Sequence, residues 1–129
     1  MKNFEKKVAK LFTLCIVPLA IAACSGETAV SFSQDIKPIL DQNCMQCHNV
    51  GGEGQVASGF SMATYEDLLK GAKFGPMIIA GDAEGSNMLV LMEGRADPSI
   101  SMPHGQNDPV SKQNLETIRL WIEQGAKNN

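Results

Sequence analysis

The pattern of apolar and polar positions along the chain predicts a series of short helices. The first of them begins near Phe32, where Ser31 or Ser33 can serve as the N-terminal cap. Pro38 lies beyond the first turn, where a proline removes a backbone hydrogen bond, so we expect a late start or a kink there. The residues at helical spacing on the apolar face are Phe32, Ile36, Ile39 and Leu40.

The middle of the chain predicts two further helices. Thr64 can cap one that runs through Lys70, and Ser86 can cap the other. Residues 50–59 contain four glycines and are expected to form a loop, whereas the apolar run at 77–80 either lines a cofactor or fills space under that loop. The expected core residues of the two helices are Leu68, Leu69, Met88, Leu91 and Met92.

The last helix has the clearest signals. Ser111 is a good N-cap, and Val110 and Leu115 stand at the spacing of a hydrophobic staple. Gly125 lies where a helix would stop, and residues 127–129 are expected to be a frayed end. The apolar face consists of Leu115, Ile118, Trp121 and Ile122.

Residues 1–23 have the pattern of a signal peptide of the lipoprotein type. A basic segment precedes the uncharged run Leu11–Ala23, which is too short to span a bilayer comfortably. Its basic residues are Lys2, Lys6, Lys7 and Lys10. We therefore expect this segment to be removed during export, which predicts a periplasmic protein.

The end of the signal segment, Ile21–Cys24, resembles a bacterial lipobox, in which the cysteine is lipidated and becomes the mature N-terminus. Residues 24–31 would then be the lipidated N-terminus and a short tether, and residues 32–129 the folded domain. This predicts a protein anchored by lipid on the periplasmic side of a bacterial membrane, and the serine after Cys24 favours the outer membrane. The alternative is ordinary cleavage after Ala20-Ile21-Ala22, which leaves a soluble periplasmic protein with a free Cys24 thiol.

Net charge narrows the choice of partner. The chain has 11 basic and 14 acidic residues, and removal of residues 1–23 takes away four lysines and one glutamate. The mature chain is left with 7 basic and 13 acidic residues, a formal charge near -6. Nucleic-acid binding needs clustered lysine or arginine, so no nucleic acid is expected, whereas a partner that presents basic residues is compatible.

Residues 44–48 read Cys-Met-Gln-Cys-His, the spacing by which c-type haem is attached. Two thiols add across the two haem vinyl groups and the histidine lies under the iron, so Cys44 and Cys47 would be thioether anchors and His48 the proximal ligand. The alternatives are a redox cysteine pair or half a zinc site, but zinc needs more ligands and only His104 remains downstream. The other two cysteines belong to the signal segment and its lipidation site, so no disulfide is expected.

A methionine on an irregular segment is the candidate for the opposite iron ligand. Pro103 restricts Met102 to extended geometry, which frees its side chain from helix packing. His104 is an alternative, because residues two apart in an extended segment point the same way. Met92 and Met77 are further alternatives, although Met92 also fits the apolar face of a helix.

Several motifs follow one another between residues 32 and 126. They are Asp35-Ile36-Lys37-Pro38-Ile39-Leu40, the C-x-x-C-H at 44–48, Gly75-Pro76, Gly81-Asp82 with Ser86 and Leu89, Met102-Pro103, and Trp121-Ile122-Glu123-Gln124-Gly125-Ala126. Together they resemble the monohaem class I cytochromes c, in the variety called planctomycete-type cytochrome c. The resemblance implies an all-α fold of small helices around one covalently attached haem c, with the first and last helices packed across each other. It also implies iron ligation by His48 and Met102.

Electron transfer is the function that this resemblance implies, with redox proteins as partners. Iron held by histidine and methionine changes charge with little rearrangement, and the thioether raises the reduction potential. No acid–base pair is evident, so we expect an electron carrier and not an enzyme. The alternative is a peroxidase-like haem enzyme or a gas sensor with an open or displaceable sixth ligand, for which His104 and Arg95 are the candidate distal groups in that segment.

Overall fold

The computed structural model describes residues 28–105 and 107–129, and the regular elements within these ranges are helices. A π-helical turn at Phe32–Ile36 continues into α1 (Lys37–Asn43), followed by α2 (Met45–His48), α3 (Glu53–Ser58), α4 (Tyr65–Lys70), α5 (Asn87–Met92), a 3-10 turn at Pro98–Ile100, and α6 (Lys112–Glu123). The predicted all-α fold is confirmed. The predicted signal peptide and the lipidation site lie outside the described residues. Within them, no helix combines the length and hydropathy that crossing a membrane would require.

The first helix starts where the sequence predicts but in an irregular form. The Ser31 hydroxyl accepts a hydrogen bond from the Gln34 amide at 3.2 Å, as an N-cap does. The amides of Ile36 and Lys37 donate to carbonyls five residues earlier, which makes this turn wider than an α-helical turn. Pro38 therefore lies in the first turn of α1, where its missing N–H breaks no hydrogen bond.

A cluster of three aromatic side chains joins the first and last helices. The ring of Phe32 lies 5.7 Å from that of Trp121 and 5.1 Å from that of Tyr65, measured between centroids. The Tyr65 hydroxyl donates to the carbonyl of Ala126 at 2.7 Å, so that α4 is tied to the end of α6. The aliphatic side chains that are wholly buried around this group are Ile36, Leu40, Leu68, Leu89, Ile118 and Ile122.

The caps of α4 and α6 are the predicted ones, whereas the role of Ser86 before α5 is different. Thr64 and Ser111 each accept a hydrogen bond from an amide three residues on, at 3.1 and 3.2 Å. The buried Ser86 hydroxyl instead accepts from the Ile79 amide at 2.8 Å and donates to the Asp82 carbonyl at 2.7 Å. The cap prediction is therefore wrong for Ser86, because its hydroxyl is used to close the preceding loop.

The last residues of the chain are held in place, so the prediction of a frayed end is wrong. The carbonyl of Asn129 accepts a hydrogen bond from the Ser33 amide at 3.0 Å, and its side-chain oxygen accepts from the Phe32 amide at 2.9 Å. On the other side, the Val30 amide donates to Gln124 Oε1 at 2.8 Å. We call these contacts of residues 28–33 with Gln124 and Asn129 the terminal clamp.

Candidate haem site

A cavity of about 990 Å³ brings the predicted site residues together. Two segments of the chain supply these lining residues: one carries Cys44, Cys47 and His48, and the other carries Met102 and His104. We call these two parts of the lining the His48 side and the Met102 side. The volume lies at the upper end of the range that protein pockets use for organic ligands. Of the predicted site residues, Cys24 alone lies outside the described part of the chain.

The His48 side chain is held in a single orientation. It is 7% exposed, and its Nδ1 lies 2.9 Å from the carbonyl oxygen of Phe60. The His48 carbonyl in turn accepts a hydrogen bond from the Met62 amide at 2.9 Å, so the two segments are tied in both directions. Because a carbonyl only accepts, Nδ1 carries the proton of the neutral imidazole, and Nε2 of that tautomer has the lone pair. This is the arrangement that a metal-ligating histidine uses.

The glycine-rich stretch at residues 50–59 contains α3, so the prediction of a loop is wrong. Gly52 and Gly59 are the residues that flank the helix, and Gly59 has a φ of +76°. Gly54 lies inside the helix and faces the imidazole, where an added Cβ would come within 3.0 Å of His48 Cε1 and Nε2. The glycines therefore end a helix and let its backbone approach the His48 ring.

The two cysteines of the motif are not bonded to each other. Burial, and to a lesser degree the neighbouring Cys47, raises the pKa of Cys44 to about 11. Burial and the carboxylate of Glu53 raise the pKa of Cys47, and the Cys47 thiol lies 3.6 Å from Glu53 Oε1. Both groups are therefore thiols at neutral pH.

The segment of the Met102 side is irregular, as predicted. A short turn at Pro98–Ile100 is capped by Asp97, whose carboxylate accepts from the Ser99 amide at 2.8 Å. The Met102 amide then donates to the Leu91 carbonyl at 3.1 Å. The side chain of Met102 is half-buried and that of His104 is exposed. The alternative ligands that also border the cavity are His104, Met92 and Met77.

The comparison with known families agrees with this geometry. Residues 44–106 match the family model described as Planctomycete cytochrome C. The chain carries a cytochrome c-like domain. The matched range begins at Cys44 and includes the segment of Met102 and His104. No curated protein and no solved structure matched the chain. The domain indicates haem binding and electron transfer.

Arg95 does not border the cavity of the cytochrome c-like domain. Its guanidinium forms ion pairs with Glu93 at 2.7 Å and with Glu84 at 3.3 Å, and Arg119 pairs with the same two carboxylates. We call these four residues the ion-pair network. It engages Arg95, one of the two candidate distal groups of a peroxidase-like site, whereas the other candidate, His104, borders the cavity.

The zinc alternative has no ligand set in the part of the chain that the structure describes. Zinc sites use three or four Cys, His, Asp or Glu side chains in close proximity. Among residues 28–105 and 107–129, no group of three or more such side chains is arranged to hold a metal ion. His104 therefore does not complete a zinc site with the C-x-x-C-H motif.

Sequence reasoning missed three features of the site. The Phe60 carbonyl that orients His48 is a backbone atom, for which residue identity gives no signal. Gly54 had a signal, namely a glycine inside a short helix, but the helix itself was not predicted. Phe74 and Ile100 are exposed side chains that border the cavity, and nothing in their sequence context sets them apart from core residues.

Proposed function

We propose that the chain is a periplasmic electron carrier in which one haem c is held covalently by Cys44 and Cys47, with His48 and Met102 as the axial ligands. The observation that carries this proposal is the hydrogen bond of His48 Nδ1 to the Phe60 carbonyl. It leaves Nε2 as a lone-pair donor at the wall of a cavity that both cysteines also border.

The lining of the cavity fits the chemistry of this cofactor. An apolar macrocycle needs apolar neighbours, and methionine side chains adapt well to its edges. The side chains that supply such contacts are Phe60, Met62, Met77, Met88, Leu91 and Met92. When bound, haem supplies an iron that gains and loses one electron. His48 and Met102 would hold that iron in both states, while the apolar lining keeps water away.

The test is a redox titration of the mature protein with spectroscopic detection. We expect haem that stays with the chain after acid extraction, and a reversible one-electron transition between two low-spin forms. Carbon monoxide should not bind the reduced protein at neutral pH, because Met102 closes the sixth position. Rapid formation of a carbon monoxide adduct would instead identify an open site, as in a sensor or a peroxidase-like enzyme.

We further propose that Cys24 carries lipid and anchors the domain to the periplasmic side of a bacterial membrane, with the outer membrane favoured. The support is the sequence pattern of residues 1–24. Cys24→Ala should release the protein into the soluble periplasmic fraction without changing its haem spectrum, because the anchor is separate from the folded domain. Ser25→Ala is the matched control and should stay in the membrane. Wild-type protein found in the soluble fraction would point to ordinary signal cleavage.

A further inference from the structure

Residues 95–102, which we call the Met102 loop, are closed on the end of α5. At the start of the loop the Arg95 amide donates to the Val90 carbonyl at 2.9 Å, and at its end the Met102 amide donates to the Leu91 carbonyl at 3.1 Å. Between these two points, in the part of the chain that the structure describes, the loop residues make their hydrogen bonds with one another. The position of Met102 therefore depends on where the end of α5 lies.

Burial in the core is deepest in the first half of α5. Met88 and Leu89 are buried, whereas residues 90–93 are half-buried. The helix packs against α6, and beyond Leu89 the two are joined by an ion pair in which Arg119 of α6 donates to the carboxylate of Glu93, directly after α5. A helix end with few buried contacts opens more easily than the core. The ion pair thus lies where α5 most needs a further contact.

Arg95 joins the start of the Met102 loop to the same network. Its guanidinium donates to the Glu93 carboxylate at 2.7 Å and to the Glu84 backbone carbonyl at 3.0 Å. Arg119, whose side chain is 20% exposed, donates to the carboxylates of both glutamates. Each carboxylate is therefore shared by two arginines, and ion pairs that form such a network contribute more than isolated surface pairs.

Resting on the proposed ligation of iron by Met102, we propose that Arg119 is a positioning residue for this ligand. Through Glu93 it holds the end of α5, and with it the Met102 loop, in the place from which the thioether reaches the iron. Arg119 does not border the cavity, so it acts only through these neighbours. Its loss leaves His48 and both cysteines in place but lets the loop open more often.

The test measures how often Met102 leaves the iron. Imidazole can bind ferric iron only after the thioether has dissociated, so at saturating imidazole the rate of the spectral change is the rate of loop opening. One coordinate bond breaks and another forms, and no electron is transferred. We expect Arg119→Gln to raise this rate constant about fivefold, which corresponds to about 1 kcal/mol. The far-red absorption should weaken while the covalent haem is retained.

Three further variants complete the series. Arg119→Lys keeps the charge and should recover part of the wild-type rate, because an ammonium group lacks the planar fork that binds two carboxylates. Glu84→Gln changes a side chain that is 71% exposed, so folding is not at risk, and it should raise the rate by a smaller factor. Lys37→Gln is the matched control, since it breaks the ion pair with Asp41 within α1 and should leave the rate unchanged.

Two measurements separate positioning from a general loss of stability. Urea below the unfolding transition should change the imidazole rate little, because the opening of one loop exposes little surface. Added salt should speed the wild type more than Arg119→Gln, because it screens pairs that the variant lacks. If Arg119 had only a structural role, the rate would show the full urea dependence of global unfolding, which the fluorescence of Trp121, the single tryptophan, reports.

The outcomes that overturn this inference differ from those that overturn the proposed function. A rate for Arg119→Gln within twofold of the wild type, or an equal rise in Lys37→Gln, would exclude the positioning role while the wild type keeps its far-red band and its one-electron transition. If Arg119→Gln does not fold, a wild-type rate in Glu84→Gln has the same meaning. A ferric wild type without the far-red band would contradict Met102 ligation itself, and the positioning role with it.

Discussion

The two sides of the cavity are built in different ways. His48 lies in a helix, is buried, and is joined to residues 60–62 by hydrogen bonds in both directions. Met102 lies on an irregular segment in which residues 97–100 and 104–105 are exposed, and its amide donates one backbone hydrogen bond, to the Leu91 carbonyl. On the first side, the Phe60 carbonyl orients the His48 ring, the proposed proximal ligand. The second leaves its side chain more freedom.

This difference indicates which substitutions should abolish the site and which should only change its spectrum and reduction potential. A ligand fixed by backbone atoms tolerates little change around it. A ligand on an irregular segment can be replaced by a neighbouring donor without unfolding the domain. Substitutions on the His48 side are therefore expected to have the larger effects.

The largest effect is expected for the C-x-x-C-H motif. His48→Ala removes the ligand that is held by the Phe60 carbonyl and should abolish the normal low-spin spectrum. Cys44→Ala and Cys47→Ala each remove one thioether and should weaken or abolish maturation. Met45→Ala, within the same motif, is the control and should mature normally. Recovery of a wild-type haem spectrum from all three variants would disprove the haem assignment.

The second-largest effect is expected for substitution of Met102. Met102→Ala should abolish the far-red absorption of the ferric protein and lower the reduction potential by about 100 mV or more, within the range of about 0.8 V that axial ligands set. The protein should still fold with covalent haem, because His48 and both cysteines remain. His104→Ala is the control and should keep the band. The Met102 assignment is wrong if Met102→Ala keeps the band while His104→Ala changes the low-spin spectrum.

A smaller effect is expected at Gly54. Alanine favours helix over glycine by up to about 1 kcal/mol, but its Cβ would lie 3.0 Å from the His48 ring. We expect the contact to dominate and Gly54→Ala to lower the unfolding free energy by about 1–3 kcal/mol. The electron paramagnetic resonance spectrum of ferric iron should also change as the ring turns. Val56→Ala, at an exposed position of the same helix, should change neither. A Gly54→Ala protein more stable than the wild type would show that the residues around His48 shift to accommodate the added Cβ at little cost.

The smallest effect is the loss of unfolding free energy that we expect when acid protonates Glu93 in the ion-pair network. Burial raises the pKa of Glu93, but hydrogen bonds and charge from Arg119 and Arg95 outweigh it and hold that pKa below 4.5. A lowered folded-state pKa adds stability that is present above about pH 4.5 and is lost as the pH falls through the folded value. For an ion pair near the surface the loss is at most about 1 kcal/mol.

The measurement for this network is the unfolding free energy from denaturant titration at pH 6 and at pH 3. Glu93→Gln should lose part of the wild type's acid dependence, and Glu116→Gln, on the exposed side of α6, should not. Equal acid dependence in the wild type and Glu93→Gln would exclude a contribution of the network to acid stability.

The features that the sequence predicts well are those specified by neighbouring residues. The caps at Thr64 and Ser111 are local, and the structure has both where they were predicted. A late start or a kink was predicted at Pro38, and α1 indeed begins only at Lys37, after a π-helical turn, because the constraint of proline on its own turn is local.

The features that were missed depend on distant parts of the chain. The glycines of residues 50–59 look like a loop until the His48 ring is seen beside Gly54. Serine is a common N-cap residue, yet the Ser86 hydroxyl makes its hydrogen bonds with Ile79 and Asp82, in the loop before the helix. The sixth ligand stays a choice among Met102, His104 and two other methionines, because all of them border one cavity.

If Cys24 carries the proposed lipid anchor, the terminal clamp is the place where a pull on that anchor would enter the folded domain. The chain between Cys24 and Thr28 can span at most about 14 Å, so motion of the bilayer would pull directly on residues 28–33. Through their amides, Val30 and Phe32 would transmit this force to Gln124, the residue after α6, and to Asn129, the last residue of the chain. None of these residues borders the cavity. A pull on the proposed anchor would therefore reach the end of the chain without passing through His48 or Met102, the proposed iron ligands.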